Sequence, residues 1–594
     1  MPAVDQDPNE TLPSFARTSP NMGFDAALLQ AVPAPPPAGG DTLALTLLDR
    51  IEHDPRRRVW RAVDPQGATY VVEERSVGRV GIDPFLVDVL PQLVDRPVGS
   101  SRHGDHELRV FRRSDGETLA QRLGRDRPPA DLESMLGWLR GVARLLYDVH
   151  TAGFAVLRLA PAHVAFRGDG TVGFEGFEGF YPLSLPISAR PGVLGYMPPE
   201  VADAEGPVIV DARQDIYAFA MLVYACIARR APPACAESGF TPVLAPRDFE
   251  PAFPVGLAPF FARCAASNPA VRPSSALDAL ALLERCVRRI LDGARGERST
   301  VYLTASCETH PGIQKRLVQS TNQDSVFCAV EPDRNAVLMG VSDGVSTAAY
   351  GSGDIASALS LRRFRRAWSE FVEQPGLWDH GAAAERLALA MQETNADIVQ
   401  YVNERFAPFG GEPQQVMGST CVAMFAKDHR AIIASLGDSR AYLVREGMIE
   451  QITRDHNLMT LGIIDGMPAH MAVTMPQASA LARCLGMFEI DPDGQLVASL
   501  VKPDIYFVDL LPGDRILLCT DGLTDYAGDS EAAAETAIYE VLMREPTPEL
   551  ACLDLIVLGN RGGGGDNIGV AVCVVGETPI SAANVFDDHE DDAT

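Results

Sequence analysis

From about residue 41 to 120, short apolar segments alternate with polar ones at the two-residue period of half-buried strands. "LALTLLDRI" followed by "RAVDPQGATYVVEER" predicts a strand, then a strand, a turn and another strand. From about 131 to 290 apolar residues recur every three or four positions. "DLESMLGWLRGVARLLYDVH" and "DIYAFAMLVYACIARR" therefore predict helices. A helix ending near Leu291 meets "DGARGERS", a polar stretch with two glycines, which sets a domain boundary. Beyond it the strand patterns "NAVLMGVSD", "RAIIASLGD", "DRILLCTD" and "NIGVAVCVV" alternate with helices such as 379–406. "AVPAPPPAGG" closes a proline-rich leader and "DDHEDD" marks an acidic tail, and both read as disordered. The expected organisation is a leader over 1–40, a domain over 41–292, a linker over 293–299, a second domain over 300–576 and a tail over 577–594.

Composition narrows this picture. A chain of 594 residues is too long for one hydrophobic core. A net charge of −28 argues against general nucleic-acid binding, because phosphate backbones repel such a surface. No apolar run reaches the length of a membrane span. "MPAVDQDPNE" lacks both the basic start and the apolar centre of a secretory signal. Eleven scattered cysteines suggest reduced thiols, so the expected location is cytoplasmic.

The chemistry concentrates in the second half. Four strand patterns there run into aspartates: "VSDG" at Asp343, "SLGDSR" at Asp438, "CTDGLTD" at Asp521 and Asp525, and "GGGGDN" at Asp566. "NQD" adds Asp324. Clustered carboxylates ionise together only if cations neutralise them, and ligation by oxygen alone favours Mg²⁺ or Mn²⁺ over zinc. Such a site suits metal-assisted hydrolysis. From the pattern alone, independent turns remain the open alternative.

The wording of the motifs goes further. "STNQDSVF", "VSDGVSTAAYGSGDIAS", "GSTCVAMF", "LGDSRAYLVREGMIEQITRDHNL", "LARCLG", "LLPGDRILLCTDGLTD" and "GGGGDNIGVAVCVV" occur in order. Over about 300–576 the chain resembles the bacterial form of the metal-dependent protein phosphatases of type 2C. The resemblance implies an α-β-β-α sandwich. In it Asp343 bridges two metals, Asp521 and Asp566 complete the first, and Asp324 with the Gly344 carbonyl serves the second. Asp438 and Asp525, with Asp521, would hold a third and weaker metal. The implied reaction is attack of a Mg²⁺- or Mn²⁺-bound hydroxide on phosphoserine or phosphothreonine, with Asp343 as the central catalytic residue and 455–480 as a variable flap. Three positions depart from the family. Gln319 stands where an arginine usually grips the substrate phosphate, leaving Lys315 or Arg316 as substitutes. Ser346 and Thr347 replace a glycine pair, and Val345 fills a slot that is methionine in many bacterial members. No metal ligand is lost, which implies an active enzyme, with Gln319 as the reason to expect a slow one.

Residues 41–292 resemble a eukaryotic-type protein kinase, with a β-rich lobe before a helical one. "VWRA", "YVVEER", "HTAGFAVLRLAPAHVAF", "GTVGFEGFEGF", "PGVLGYMPPE", "DARQDIYAFAMLVY" and "NPAVRPS" keep the family's order. The chemistry is replaced position by position. Glu52, Asp54 and Arg57 stand for the loop glycines, and Glu73 for the phosphate-pairing lysine. Arg158 stands for the catalytic aspartate, His163 for the metal-binding asparagine and Gly176 for the magnesium-binding aspartate. Scaffold positions survive: Glu200 can pair with Arg272, and Asp215 can anchor the backbone of the catalytic loop. This implies a pseudokinase that does not bind ATP.

The expected fold class is thus α+β, a bilobal kinase-like fold followed by the sandwich. The expected function is a Ser/Thr phosphatase whose dead kinase-like module regulates it or docks phosphoprotein substrates, a Ser/Thr kinase or a client of one. The alternatives are a non-catalytic scaffold built of both domains and a bifunctional kinase and phosphatase. The lost lysine, aspartate and asparagine disfavour the last.

Overall fold

The computed structural model describes residues 32–33, 42–43, 45–52, 57–67, 69–76, 97–103, 106–112, 117–124, 130–167, 171–174, 180–187, 192–202, 204–232, 246–250, 253–295, 301–345, 349–373, 380–409, 416–467 and 469–577. Two compact units divide at 116/117.

The first unit is built on an antiparallel sheet of five strands: β1 (Thr46–Glu52), β2 (Arg57–Val63), β3 (Thr69–Ser76), β4 (Pro97–His103) and β5 (His106–Arg112), in the order β1-β2-β3-β5-β4. "DPQG" makes the turn between β2 and β3, with Gly67 at a positive φ that glycine adopts without strain. The leader lies outside the described residues except for Val32–Pro33, which pair with Thr42–Leu43.

The second unit opens with a helical segment. Helix α1 (Leu132–Thr151) starts at Asp131, whose side chain accepts from the Ser134 N–H at 2.7 Å. Its buried Leu139, Val142, Leu146 and Val149 repeat at three- and four-residue spacing. Helix α2 (Ala212–Ala228) is buried almost all round and is entered through a capping box of Asp211 and Gln214. The short α3 (Pro246–Phe249) and α4 (Ala258–Cys264) precede α5 (Ala276–Arg295), which packs along α1. Two expected pairings are present. Arg272 forks onto both oxygens of Glu200 at 2.7 and 2.8 Å, and Asp215 accepts the N–H groups of Val156 and Leu157 at 2.7 Å each.

The rest of the unit is two stacked antiparallel sheets. Their strands are β6 (Val301–His310), β7 (Asp324–Glu331), β8 (Ala336–Asp343), β9 (Cys421–Lys427), β10 (Arg430–Leu436), β11 (Arg440–Arg445), β12 (Met448–Gln451), β13 (Asp504–Asp509), β14 (Arg515–Cys519) and β15 (Ile568–Glu577). One sheet runs β6-β15-β14-β11-β12 and the other β7-β8-β9-β10-β13. Strand β8 shows why they stack. Its Val337, Met339 and Val341 enter the core between the sheets, while Leu338 turns to the helices behind. Those helices are α6 (Gly353–Glu373) and α7 (His380–Phe406), and the ring of Phe371 stacks on Phe425 at 4.6 Å. Between β12 and β13 lies α8 (Leu458–Ile464), in the stretch expected to be the flap. Helices α9 (Glu531–Arg544) and α10 (Pro548–Arg561) cover the outer face of the first sheet. The layers are α-β-β-α.

The expected boundary at 292 is not where the chain divides. Helix α5 continues to Arg295, into the expected linker, and the helical segment falls into the same compact unit as the sandwich. The reason is direct packing, since Val255 lies half-buried against the core between the sheets. Among the described residues no helix is long and apolar enough to cross a membrane, and ten cysteines are free thiols. The expected tail beyond Glu577 lies outside the described residues.

Candidate active site

Strand register creates the centre of the site. Asp324 opens β7 and Asp343 ends β8, and the antiparallel ladder sets them directly opposite each other. The backbone of Asp343 is clamped by the two residues that precede β9. Its N–H donates to Thr420 Oγ1 at 3.0 Å, and its carbonyl accepts from the Thr420 N–H at 2.8 Å and Ser419 Oγ at 2.6 Å. The Gly344 N–H donates to the Gln323 carbonyl at 3.2 Å. Gly344 and Gly353 meet back to back, and a Cβ on either would run into the other's backbone.

Two loops complete the cluster. Asp521 begins the one-turn helix Asp521–Thr524 after β14, and Asp525 caps it. A side chain at Gly522 would strike the Asn567 carbonyl, so glycine there lets the Asp566–Asn567 loop close onto the Asp521 turn. Asn567 secures that loop. It accepts from the Gln323 N–H at 2.9 Å and donates to the Pro311 carbonyl at 3.0 Å. Thr520 Oγ1 donates to Asp324 Oδ2 at 2.8 Å. Asp438 sits in the turn between β10 and β11, where burial and then Asp521 and Asp455 act on it. Arg440 grips Asp455 with bonds of 2.7 to 3.3 Å.

The electrostatics follow from burial of like charges. Burial, then Asp521 and Asp566, push Asp324 up to about 8 against the Thr520 hydrogen bond. Asp343 is held well above the carboxylate range by burial and then by Asp324 and Asp521. Asp438 is pushed up to about 8 and Asp521 to about 6, chiefly by burial, and Asp525 is raised for the same reason. The charges of Asp324 and Asp521 both bear on Asp343. The gathering is not a finished coordination shell: among the described residues, no three His, Cys, Asp or Glu side chains are arranged to hold a metal ion as they stand. Asp324 Oδ1 is buried with no hydrogen-bond partner.

The two candidate phosphate cations separate. Lys315 Nζ reaches Asp566 Oδ1 at 2.8 Å, whereas Arg316 is exposed. Val345 is tied to the Gly418 carbonyl, and Ser346 and Thr347 lie outside the described residues. Beside Asp525 opens a cavity of about 580 Å³ lined by Arg440, Asp455, Glu531 and, from the helical segment, Asp248. Of the positions expected to have lost kinase chemistry, Glu52 ends β1, Arg57 starts β2 and Glu73 lies in β3. Arg158 and His163 lie in the loop after α1, and Asp54 and Gly176 fall outside the described residues. Sequence reasoning assigned no role to Thr520, Asn567, Ser419, Thr420 or Asp455. The motifs "GST", "CTDG" and "GGGGDN" contained the first four, but only the fold shows what each one holds.

Residues 312–550 match the family model described as protein phosphatase 2C. The serine/threonine phosphatase stp of Listeria monocytogenes is 29% identical over 259 residues, 43% of this chain and 90% of that protein. The serine/threonine protein phosphatase PstP of Mycobacterium tuberculosis is 30% identical over 282 residues, 46% of this chain and 47% of that protein. A solved structure of the catalytic domain of PstP in complex with two manganese ions is 26% identical, covering 47% of this chain and all of that one, at a TM-score of 0.35. The sandwich runs past the matched span at both ends, since β6, β15 and Asp566 lie outside it. Residues 312–550 form a protein phosphatase 2C domain, of the serine/threonine phosphatase type.

Proposed function

We propose that this chain hydrolyses phosphoserine and phosphothreonine in proteins with Mg²⁺ or Mn²⁺ bound among its aspartates. The observation that carries this reading is the register pair of buried Asp324 and half-buried Asp343, with the charge of Asp521 bearing on both. The donor set fits a hard cation. It is all oxygen, its carboxylates oppose one another's ionisation, and Asp324 Oδ1 is a buried acceptor without a donor. Asp343 would serve two ions, with Asp521 and Asp566 on one, Asp324 and the Gly344 carbonyl on the other, and Asp438 and Asp525 with Asp521 at a third. When bound, the ions allow these acids to ionise together and acidify water for attack on phosphorus. The chain's own residues do the positioning. Ser419 and Thr420 hold the backbone of Asp343, Thr520 orients Asp324, and Asn567 fastens the loop of Asp566 to that of Gln323. The ion pair of Lys315 with Asp566 supports Lys315, rather than the exposed Arg316, as the cation that would meet the substrate phosphate.

Residues 41–292 are read as a catalytically dead kinase-like module. A five-stranded sheet before a helical segment, the Glu200–Arg272 pair and Asp215 beneath the Val156–Leu157 loop support this. Its role in this reading is to regulate the phosphatase or to dock a phosphoprotein, a kinase or a kinase's client, in the cytoplasm.

Hydrolysis of p-nitrophenyl phosphate and of a phosphothreonine peptide, with Mn²⁺ and with EDTA, tests the first part. The expected result is metal-dependent turnover of both. Equal rates with and without metal would refute it, and no turnover at all would favour the scaffold reading. Thermal unfolding of the full chain in constant free Mg²⁺, with and without ATP, tests the second part, with no shift expected. A shift of several degrees would reopen the bifunctional reading.

A further inference from the structure

The helical segment grips the phosphatase sandwich around the end of β12. Arg247 of α3 is buried, 5% exposed. Its Nε and Nη2 donate to the Ile452 carbonyl at 3.2 and 3.1 Å, and its Nη1 to the Phe253 carbonyl at 2.9 Å. The guanidinium also lies over the Tyr506 ring at 5.2 Å. Tyr506 in turn accepts the Arg454 N–H at 3.1 Å, while Arg454 Nη1 donates to the Asp248 carbonyl at 3.0 Å. Glu450 accepts the Gly256 N–H at 3.1 Å, and Arg289 pairs with Glu446. Apolar packing alone would suffice for a mere cover. Here a desolvated guanidinium is directed at a backbone carbonyl of the other segment, a costly arrangement unless that carbonyl's position matters.

The chain leaving β12 leads straight to the site. Three residues after Ile452, Asp455 takes the fork of Arg440. The next residue, His456, closes a two-way clasp on Gly437. Its N–H donates to the Gly437 carbonyl, and its Nδ1 accepts the Gly437 N–H, both at 3.0 Å. Gly437 immediately precedes Asp438. We propose that Arg247, from outside the phosphatase domain, is a positioning residue for the phosphatase: by fixing Ile452 it sets residues 452–456, and through Asp455 and His456 it sets the turn that carries Asp438. This rests on the phosphatase reading above. It makes the helical segment part of the enzyme's working structure, so that anything displacing α3 would slow the enzyme.

The test uses full-length Arg247→Ala and Arg247→Lys. It follows amide hydrogen exchange, direct binding of Mn²⁺ by electron paramagnetic resonance, and kcat and KM for p-nitrophenyl phosphate. In Arg247→Ala the amides of 437–440 and 452–457 should exchange about tenfold faster, one Mn²⁺ should bind about tenfold more weakly and kcat should fall about tenfold at unchanged KM, the scale of one buried charge-assisted hydrogen bond. Arg247→Lys should recover part of each, because one ammonium donor still reaches the carbonyl. Wild-type Mn²⁺ binding and kcat in a folded Arg247→Ala protein would overturn the proposal. If that variant does not fold, wild-type values in Arg247→Lys would do so. Absence of turnover in the wild type would refute the phosphatase reading instead, while exchange and Mn²⁺ binding still judge Arg247.

Discussion

Lys315 Nζ lies 2.8 Å from Asp566 Oδ1, bringing a cation from the loop after β6 against an acid of the loop before β15. Its neighbour Arg316 is exposed. Lys315→Met keeps the stem and removes the charge. It should raise KM for a phosphothreonine peptide about tenfold, roughly 1.4 kcal/mol, with kcat changed much less. Arg316→Met should leave both constants alone. Steady-state kinetics at saturating Mn²⁺ checks this, and an unchanged KM in Lys315→Met would move phosphate binding elsewhere.

Asp343 carries the conflict between stability and activity. Burial and then Asp324 hold its carboxyl well above the usual range, so its charged form is unwelcome in the fold. Asp343→Asn should therefore raise the thermal midpoint in EDTA while cutting hydrolysis with Mn²⁺ by about a thousandfold or more. A lower midpoint in EDTA would show that the carboxylate contributes packing that the amide cannot replace.

Gly344 and Gly353 are required by their mutual approach. Gly353→Ala would set a methyl 2.5 Å from the Gly344 carbonyl carbon and push β8 away from the start of α6. The expected cost is about 3 kcal/mol in denaturant unfolding, together with loss of activity. Gly137, inside α1, has open space around the same methyl. Gly137→Ala should stabilise by about 0.5 to 1 kcal/mol. Equal effects of the two substitutions would remove the steric argument.

His456 gives stability a defined pH dependence. It is fully buried, which pushes its pKa below the usual 6.5, and the 2.8 Å bond to Asp504 only partly opposes this. Arg483 and Arg454 face the same group and disfavour its protonation. The folded state therefore takes up this proton at lower pH than the unfolded chain. The contribution is complete above 6.5 and is lost as pH falls below it. The thermal midpoint should drop between about pH 7 and pH 5, and His456→Gln should flatten that drop. An identical slope in the variant would assign the acid sensitivity to other groups.

Much of the second half was legible in the chain because strand chemistry is local. "NAVLMGVSD" declares by its period which residues face which layer, and the aspartate at its end marks where the strand leaves the sheet. The pairings of Glu200 with Arg272 and of Asp215 with the Val156–Leu157 loop were likewise readable, since motif order specified the partners. Only the tertiary structure decided that Lys315 and not Arg316 meets Asp566, because consecutive positions of the short helix Lys315–Val318 point about 100° apart. It also decided that the chain divides at 116/117 and that Arg247 holds Ile452, 205 residues away. No local period encodes such a contact. A glycine-containing polar stretch reads as a boundary in sequence, but whether two segments separate depends on the surfaces they bury, and here a half-buried Val255 and a buried Arg247 pack against the sandwich.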